Sequence, residues 1–346
     1  PLPMDTTAPE LKQHVFDLSV DAWEQHSRTL DPIPLEWLRT ARRRGGALCL
    51  ADAQGDTDLS GRKTMTAVFA FSRLIHKRSP EQNIGLLLPT SSAGLITNMA
   101  CLLLGKTVVN LNYTASLAAL SAAADRAELH SIYTSKRFIR KLAQRGVELD
   151  SLLGKIKVHY LEDLKDEIGT LGKLAMLASA VLLPARLLYA LYGRRADLEQ
   201  PAAILFSSGS EGEPKGVMLS HRNIVANIQQ VADVLDTRGE DTVMATLPLF
   251  HAFGLTVTGL MPLVEGIPAI CHPDPTDALT IAKAIGRHQA TVFCGTSTFL
   301  RLFTRNRRIH PLMLESLRVV VDGAERLSPE VRDAFKLTIN KEIYEG

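Results

Sequence analysis

Residues 204–221, ILFSSGSEGEPKGVMLSH, constrain the fold of this chain more than any other stretch of its sequence. The stretch opens with an apolar run that is typical of a buried strand, and it continues into a loop that is rich in glycine and serine. Glycine lets backbone N–H groups approach an anion closely, and the lysine at the end of the loop adds a mobile positive charge. The stretch therefore predicts a loop that binds a polyphosphate at the end of a strand.

The candidate phosphate-binding residues share small size, a hydroxyl donor or a positive charge. They are Ser207, Ser208, Gly209, Ser210, Gly212, Lys215 and Gly216. Two better-known loops are excluded by single residues. Pro214 occupies the place where a Walker loop needs its second glycine, and no serine here has glycine two residues away on both sides, as a nucleophile elbow requires.

Composition sets the broad class of the protein. The chain has 346 residues, of which 46% are hydrophobic and 22% charged, with a formal net charge of +2. These values predict a folded protein and argue against both disorder and nucleic-acid binding by charge alone. The four cysteines are scattered without a CxxC pair, which argues against a structural metal site or a disulfide framework and favours a reducing compartment. The N-terminus lacks an initiating methionine and the pattern of a signal peptide, so we expect this chain to be part of a longer polypeptide.

Alternating apolar runs and helical patterns predict the fold class. The run NIGLLLP predicts a strand buried on both faces, the next segment predicts a helix that ends at Gly105, and KTVVNLN predicts a second strand. A strand–helix–strand unit implies a parallel sheet, so we predict an α/β fold of two stacked subdomains with largely parallel sheets. The predicted division is a loosely organised lead-in or linker at 1–32, a first subdomain at 33–200 and a second subdomain with the phosphate loop at 201–346.

Residues 174–192, LAMLASAVLLPARLLYALY, form an apolar segment with basic flanks, and three interpretations of it remain open. It can be a buried core helix, a helix lying on a membrane surface, or a helix that spans a membrane. About 20 apolar residues are long enough to span, but Arg186 within the segment makes spanning costly. Two tyrosines beside the basic end favour the membrane surface.

The loop SSGSEGEPKG, residues 207–216, resembles the phosphate-binding loop of the adenylate-forming superfamily, which includes acyl-CoA synthetases, luciferases and adenylation domains. That superfamily has the pattern [ST]-S-G-[ST]-[TE]-G-x-P-K-G, and this chain matches every position. LPLFHAFGL at 247–255 is similar to the second signature of the superfamily, and DGAERL and GTSTFL resemble its adenine and acyl segments. The resemblance covers about residues 33–346 and implies an acyl-CoA synthetase-like N-terminal domain.

The resemblance also implies roles for individual residues. Lys215 and His251 are the implied catalytic residues, and His251 lies beside the acyl carboxylate in the superfamily. The implied nucleotide-binding residues beyond the loop are Gly323, Ala324 and Glu325. The implied substrate-binding residues, besides His251, are Gly254, Gly295, Thr296 and Ser297.

The implied reaction is ATP- and Mg²⁺-dependent activation of a long-chain fatty acid as an acyl-adenylate. Glu211 and the neighbouring motifs are similar to those of a bacterial branch in which an acyltransferase domain precedes the synthetase. That branch implies transfer to the phosphopantetheine thiol of acyl carrier protein, reacylation of the lysophospholipid 2-acylglycerophosphoethanolamine, and association with the cytoplasmic side of the bacterial inner membrane surface. The alternatives are a long-chain acyl-CoA synthetase and a non-catalytic lipid- or nucleotide-binding fragment.

One departure limits the implied activity. This chain ends with IYEG, residues 343–346. In the superfamily, the corresponding segment is followed by Y-G-x-T-E and then by a small C-terminal domain that carries a catalytic lysine. These parts are not in the sequence, which ends at Gly346. We therefore expect this chain alone to be inactive in adenylation.

Overall fold

The computed structural model describes residues 6–27, 30–55, 58–207 and 214–346 of the chain. The helices are α1 (Ala8–Ser27), α2 (Ile33–Arg44), α3 (Gly61–Arg78), α4 (Ser92–Leu103), α5 (Leu117–Arg126), α6 (Lys136–Gln144), α7 (Asp150–Leu153), α8 (Leu161–Asp166), α9 (Thr170–Leu182), α10 (Ala185–Tyr192), α11 (His221–Val234), α12 (Met261–Glu265), α13 (Ala278–His288), α14 (Ser297–Arg305) and α15 (Pro329–Ile339). The strands are β1 (Leu48–Asp52), β2 (Asp58–Ser60), β3 (Asn83–Leu87), β4 (Thr107–Asn110), β5 (Ser131–Thr134), β6 (Lys157–Tyr160), β7 (Pro201–Ser207), β8 (Lys215–Ser220), β9 (Val243–Ala245), β10 (Ala269–Cys271), β11 (Val292–Gly295), β12 (Val319–Asp322) and β13 (Tyr344–Glu345). A π-helix, Gly254–Leu260, precedes α12, and a short 3₁₀ helix, Pro311–Leu314, precedes β12.

The strands form two sheets. The seven-stranded sheet has the order β13-β12-β11-β9-β10-β1-β2, and the six-stranded sheet has the order β6-β5-β3-β4-β7-β8. Neighbouring strands run parallel except at two edge pairs, β1–β2 and β7–β8, which are antiparallel. The predicted α/β fold with largely parallel sheets is confirmed.

The order of strands along the chain does not follow the division at residue 200. β1 and β2 come early in the chain and belong to the seven-stranded sheet, whereas β7 and β8 follow residue 200 and belong to the six-stranded sheet. The chain therefore passes between the two sheets more than once. The subdomain boundaries stay a prediction, and a single cut in the sequence does not separate the sheets.

Within the predicted lead-in at 1–32, residues 8–27 form the regular helix α1, and the interpretation of this part as a lead-in or linker stays a prediction. The backbone N–H of Thr7 donates to the Glu10 carboxylate at 2.8 Å, which is one of the two bonds of a T-x-x-E capping box. Leu11, Val15 and Leu18 then recur at helical spacing. Local sequence signals at 7–18 therefore specify α1.

The core lies on both faces of each sheet. The largest cluster of buried apolar side chains joins both sheets, with Leu50 from β1 and Ile84 from β3 among its members. A second cluster packs α13, α14 and α15 on the other face of the seven-stranded sheet, to which Ala51 contributes. A third cluster packs α5, α6 and α7 on the six-stranded sheet. Successive residues such as Leu50 and Ala51 belong to opposite clusters because side chains alternate across a strand.

Residues 174–192 form two helices instead of one. α9 ends at Leu182 and α10 begins at Ala185, because Pro184 lacks the backbone N–H that would continue the first helix. Within the described parts of the chain, no helix has the length and apolarity needed to cross a membrane.

Candidate active site

A hairpin carries the ends of the predicted phosphate loop. Ser207 is the last residue of β7, Lys215 is the first residue of β8, and the two are paired across the antiparallel ladder. The tip of the loop, with Ser208, Gly209, Ser210 and Gly212, lies outside the described residues. Lys215 is exposed, and Gly216 packs its backbone against the ring of Phe206. The hairpin thus presents the lysine at the base of the loop, on the edge of the six-stranded sheet.

His251 lies in the loop between β9 and the π-helix. Its backbone N–H donates to the Pro248 carbonyl at 3.1 Å and its carbonyl accepts from Leu255 N–H at 2.8 Å, which fixes the turn. The imidazole is partly exposed and rests on the ring of Phe250, with 4.6 Å between the ring centroids. Partial removal of water lowers the pKa of His251 below its ordinary value. The neutral imidazole is therefore the main form at pH 7.

Gly254 begins the π-helix at a point where the backbone turns back on itself. A Cβ at this position would lie 2.0 Å from the Pro248 carbonyl oxygen. Only glycine fits so close an approach, because real side-chain carbons do not come within 3.0 Å of a backbone oxygen. A π-helix is rare in proteins and is frequent at functional sites. Gly254 thus permits this turn, and its place in the substrate site stays a prediction.

Two further predicted segments meet at the carboxyl ends of adjacent parallel strands. Gly295 ends β11, Gly323 follows β12, and the Gly323 N–H donates to the Gly295 carbonyl at 3.0 Å. Glu325 accepts from the backbone N–H of Thr298 at 2.6 Å, and this bond is the main reason why the pKa of Glu325 is lowered. The carboxyl ends of parallel strands are where α/β sheets bind ligands. The structure therefore brings the predicted acyl and adenine segments together.

Thr296 and Ala324 shape the two turns. Thr296 caps α14, with its hydroxyl accepting from Phe299 N–H at 3.5 Å. Ala324 has φ of +69°, which is uncommon for a residue with a Cβ and marks a tight, strained turn. A strained backbone directly after a strand is a feature of ligand-binding loops.

Asp322, the last residue of β12, was not among the predicted site residues. It is fully buried, its Oδ2 accepts a hydrogen bond from the Ser297 hydroxyl, and no partner for its Oδ1 occurs in the described part of the chain. Burial raises the pKa of Asp322 above its ordinary value. Burying a carboxyl group with an unpaired oxygen costs free energy of folding, and groups of this kind cluster at functional sites. The pattern VVVD, an apolar strand ending in an acid, was the sequence signal that could have identified it.

A cavity of about 580 Å³ lies beside these loops. α11 and Leu219 of β8 form one wall, and Cys294, Val321 and the residues of β13 form the opposite wall. Phe253, from the turn before the π-helix, contributes a further wall and also packs closely on Gly323. The cavity thus lies between strands of the two sheets, and its lining includes the sequence neighbours of His251, Gly254 and Gly295.

The lining of this cavity is mostly apolar. Ile224, Val231 and Val257 line the cavity together with the amide side chains of Asn223 and Asn227. Glu345 is the one charged residue among the described residues that line it. Burying a hydrocarbon chain in such a site is favourable by roughly 0.8 kcal/mol for each CH₂ group. The arrangement suits a ligand with an apolar tail and a polar head near the loops.

The described residues do not contain a group of three or more histidine, cysteine, aspartate or glutamate side chains placed to hold a metal ion.

Comparison with known protein families identifies the family of this chain. Residues 37–346 match the family model described as AMP-binding enzyme. The chain belongs to the AMP-binding enzyme family. The matched range contains the hairpin, the His251 loop and both strand-end segments, which agrees with the predicted adenylate-forming superfamily.

The similarity to individual relatives extends over part of each protein. A long-chain-fatty-acid–CoA ligase of Bacillus subtilis (strain 168) is 31% identical over 159 residues, which is 44% of this chain and 28% of that protein. A crystal structure of the anthranilate CoA ligase AuaEII in complex with anthranoyl-AMP superposes with a TM-score of 0.75 at 18% identity, covering 91% of this chain and 58% of that one. ATP-bound MatB from Rhodopseudomonas palustris superposes with a TM-score of 0.68 at 20% identity, covering 89% and 59%. The structural likenesses show the shared fold, and the chain spans less than two thirds of the length of these relatives.

Proposed function

We propose that the protein containing this chain activates a long-chain fatty acid with ATP and passes the acyl group to a thiol, as an acid–thiol ligase. The observation that carries the proposal is the apolar cavity between α11 and the strands β11 and β12, to which β8, the strand that begins at Lys215, contributes Leu219. Membership of the AMP-binding enzyme family supports the nucleotide half of the reaction. The ligase of Bacillus subtilis supports the fatty-acid half.

In the proposed first step, a carboxylate oxygen of the fatty acid attacks the α-phosphorus of ATP. The bond from that phosphorus to the bridging oxygen breaks, and pyrophosphate leaves with its electron pair. Two anions must approach each other in this step, so positive charge and N–H donors are needed around the phosphates. Lys215 and Ser207 stand at the base of the loop that would provide them.

His251 would orient the attacking carboxylate. Because its pKa is lowered, the imidazole is neutral at pH 7 and donates a hydrogen bond without neutralising the carboxylate charge. The attacking oxygen therefore keeps its nucleophilicity. ATP would enter as its magnesium complex, with Mg²⁺ bound to the phosphates as part of the substrate.

The proposed thiol is the phosphopantetheine arm of acyl carrier protein. This finer assignment rests on the similarity of SSGSEGEPKG and its neighbouring motifs to the synthetase half of bacterial bifunctional 2-acylglycerophosphoethanolamine acyltransferase/acyl-[acyl-carrier-protein] synthetases. In such a protein the acyl group then passes to a lysophospholipid through the acyltransferase. The alternative acceptor is free CoA, which is favoured by the similarity to long-chain-fatty-acid–CoA ligases.

The acceptor can be identified with radiolabelled palmitate and ATP. We expect the protein that contains this chain to form a thioester on acyl carrier protein, and a thioester formed only on CoA would replace this proposal by the alternative. A protein that binds the acyl-adenylate but exchanges no pyrophosphate into ATP would instead be a binding module.

The cavity itself is tested by calorimetric titration of this chain with a stable palmitoyl-adenylate analogue. We expect Asn227→Trp, at the exposed side of the cavity wall, to weaken binding at least tenfold, or about 1.4 kcal/mol, because the indole would occupy space needed by the acyl chain. The matched control is Gln229→Trp, on the same helix but away from the cavity. An acetyl-adenylate analogue should bind both variants alike. Equal binding of the palmitoyl analogue to both variants would remove the cavity from the acyl site.

A further inference from the structure

The helices α9 and α10 have an exposed apolar face that the acyl site does not use. Both helices are anchored by their other face, where Met176 and Ala180 of α9 and Leu188 of α10 are buried. The ring of Tyr192 stacks on Phe69 of α3 at 4.1 Å, and its hydroxyl donates to Ser179 at 3.0 Å. The two helices are therefore held as one ridge on the body of the protein.

The outer face of this ridge consists of large apolar side chains. The exposed fractions are 73% for Leu182, 59% for Leu191 and 49% for Leu187. Leu171, Leu174, Leu177 and Val181 extend the same kind of surface along α9. Water-soluble surfaces rarely concentrate so many large apolar side chains unless a partner covers them.

The charged side chains of the ridge segment itself are all positive. Between residues 168 and 196 the chain contains Lys173, Arg186, Arg194 and Arg195, and it contains no aspartate or glutamate. None of these four side chains pairs with a carboxylate within the parts of the chain that the structure describes. By contrast, the exposed apolar side chains of α1 are interspersed with acids such as Glu10 and Asp17. The ridge therefore offers apolar and positive surface together.

Two hollows border α10. The larger, of about 1100 Å³, is lined by Arg186 and Arg195, and also by Arg222, which is paired with Glu199. The smaller, of about 320 Å³, is lined by Arg73 and Arg194 next to Leu191. Arginine is well suited to phosphate because its planar guanidinium donates two parallel hydrogen bonds. Asp31 and Asp197 also line the larger hollow. Asp31 is paired with Arg39, and Asp197 accepts from the Glu199 N–H. Arg186 and Arg195 are therefore the side chains there that are open to an anion.

We propose that the α9–α10 ridge docks on the surface of a membrane that contains anionic phospholipids, with lipid phosphates bound in the arginine-lined hollows. Leu182, Leu187 and Leu191 enter the boundary between headgroups and acyl chains, while Arg186, Arg194 and Arg195 remain at headgroup level. Neither helix is long enough to cross the bilayer, so the docking is peripheral. The proposal is independent of the acyl ligase assignment.

Apolar and electrostatic contributions both favour this occupant. Buried apolar area adds to membrane affinity, and each arginine near an anionic surface adds about 1 kcal/mol, or roughly a fivefold gain in partitioning. A second copy of the chain would bring the same four positive charges against each other, which disfavours self-association through this face. A lipid surface supplies both an apolar layer and negative charge.

The test is flotation of the chain with vesicles of phosphatidylethanolamine and phosphatidylglycerol, compared with vesicles of phosphatidylcholine alone. We expect binding to the anionic vesicles, a decrease with added salt, and a loss of about tenfold or more in Leu182→Gln/Leu191→Gln. Arg186→Gln/Arg195→Gln should lose affinity for anionic vesicles alone. The matched control, Leu312→Gln/Leu337→Gln, removes leucines that are 66% and 87% exposed elsewhere on the surface and should bind as wild type does.

Several outcomes would overturn the proposal. These are absence of binding to anionic vesicles, equal binding by the ridge variant and its control, and no preference for anionic over phosphatidylcholine vesicles. Retention in membranes after an alkaline carbonate wash would show insertion instead of docking. Sedimentation velocity without vesicles distinguishes one further case, because self-association that the ridge variant abolishes would assign the face to a second copy. Unchanged circular dichroism and melting would show that each variant remains folded.

Discussion

Gly254 shows how much of the site depends on one missing side chain. The backbone at this position approaches the Pro248 carbonyl oxygen so closely that a methyl group would lie 2.0 Å from it. The close approach lets the chain turn from His251 into the π-helix and places Phe253 against Gly323. The sequence motif predicted a functional glycine here, and the structure supplies the steric reason.

We predict that Gly254→Ala destabilises the chain by about 2–4 kcal/mol, because the added methyl must displace backbone instead of a flexible side chain. Urea unfolding measures the loss. Gly239→Ala is the control, since a Cβ at Gly239 meets no atom within 4 Å. Equal midpoints for the two variants would show that the turn relaxes without cost.

At the scale of elements, α11 links the hairpin to the cavity and begins at a buried histidine. Ser220 caps the helix in a capping box with Asn223, so the start of α11 is specified by local sequence. His221 follows, is fully buried, and neither of its ring nitrogens has a hydrogen-bond partner in the described part of the chain. Burial lowers the pKa of His221 to about 4. The first turn of α11 therefore requires a neutral imidazole.

This requirement makes stability depend on pH. The unfolded chain binds a proton at His221 near pH 6.5 and the folded chain binds it only near pH 4, so stability is full above about pH 6.5 and decreases as the pH falls to 4. A difference of this size corresponds to about 3 kcal/mol at pH 4. In urea titrations at pH 7 and pH 4, His221→Phe should lose less stability than wild type. The exposed His130→Phe should keep the wild-type pH dependence, and an unchanged profile in His221→Phe would contradict the prediction.

At the scale of the whole molecule, the two sheets share one apolar core. Leu50 and Val243 of the seven-stranded sheet belong to the same buried cluster as Ile84 and Val108 of the six-stranded sheet. A buried hydrogen bond also crosses between them, from the Thr90 hydroxyl to the Leu247 carbonyl at 2.7 Å. The loop that carries His251 is thus fastened to the end of β3.

We predict that the described sheets unfold together, in one calorimetric transition whose van't Hoff and calorimetric enthalpies agree, because neither sheet has a separate core on the shared side. Thr90→Val should lower the free energy of unfolding by about 1–2 kcal/mol by leaving the Leu247 carbonyl unpaired. Two resolved transitions, with only one shifted by Thr90→Val, would instead show that the sheets are independent units.

The sequence alone determined the elements whose signals are local. Apolar runs bounded by proline or glycine gave β3, β4 and β7, and the loop motif placed Ser207 and Lys215 at a strand end, because buried parallel strands and glycine-rich turns have strong local signatures. The site motifs at Gly295 and Gly323 came instead from the resemblance to the adenylate-forming superfamily. The Thr7–Glu10 pair at the start of α1 is a further local signal of this kind.

Only the tertiary structure decided how these elements combine. Which sheet a strand joins depends on long-range pairing, so β1 and β7 lie in sheets that a linear division did not predict. The burial of Asp322 and His221 and the close contact at Gly254 arise from packing between distant segments. The apolar segment at 174–192 left three interpretations open because hydropathy does not reveal which face a neighbouring helix covers. Packing against α3 buried one side of α9 and α10 and left the other side exposed.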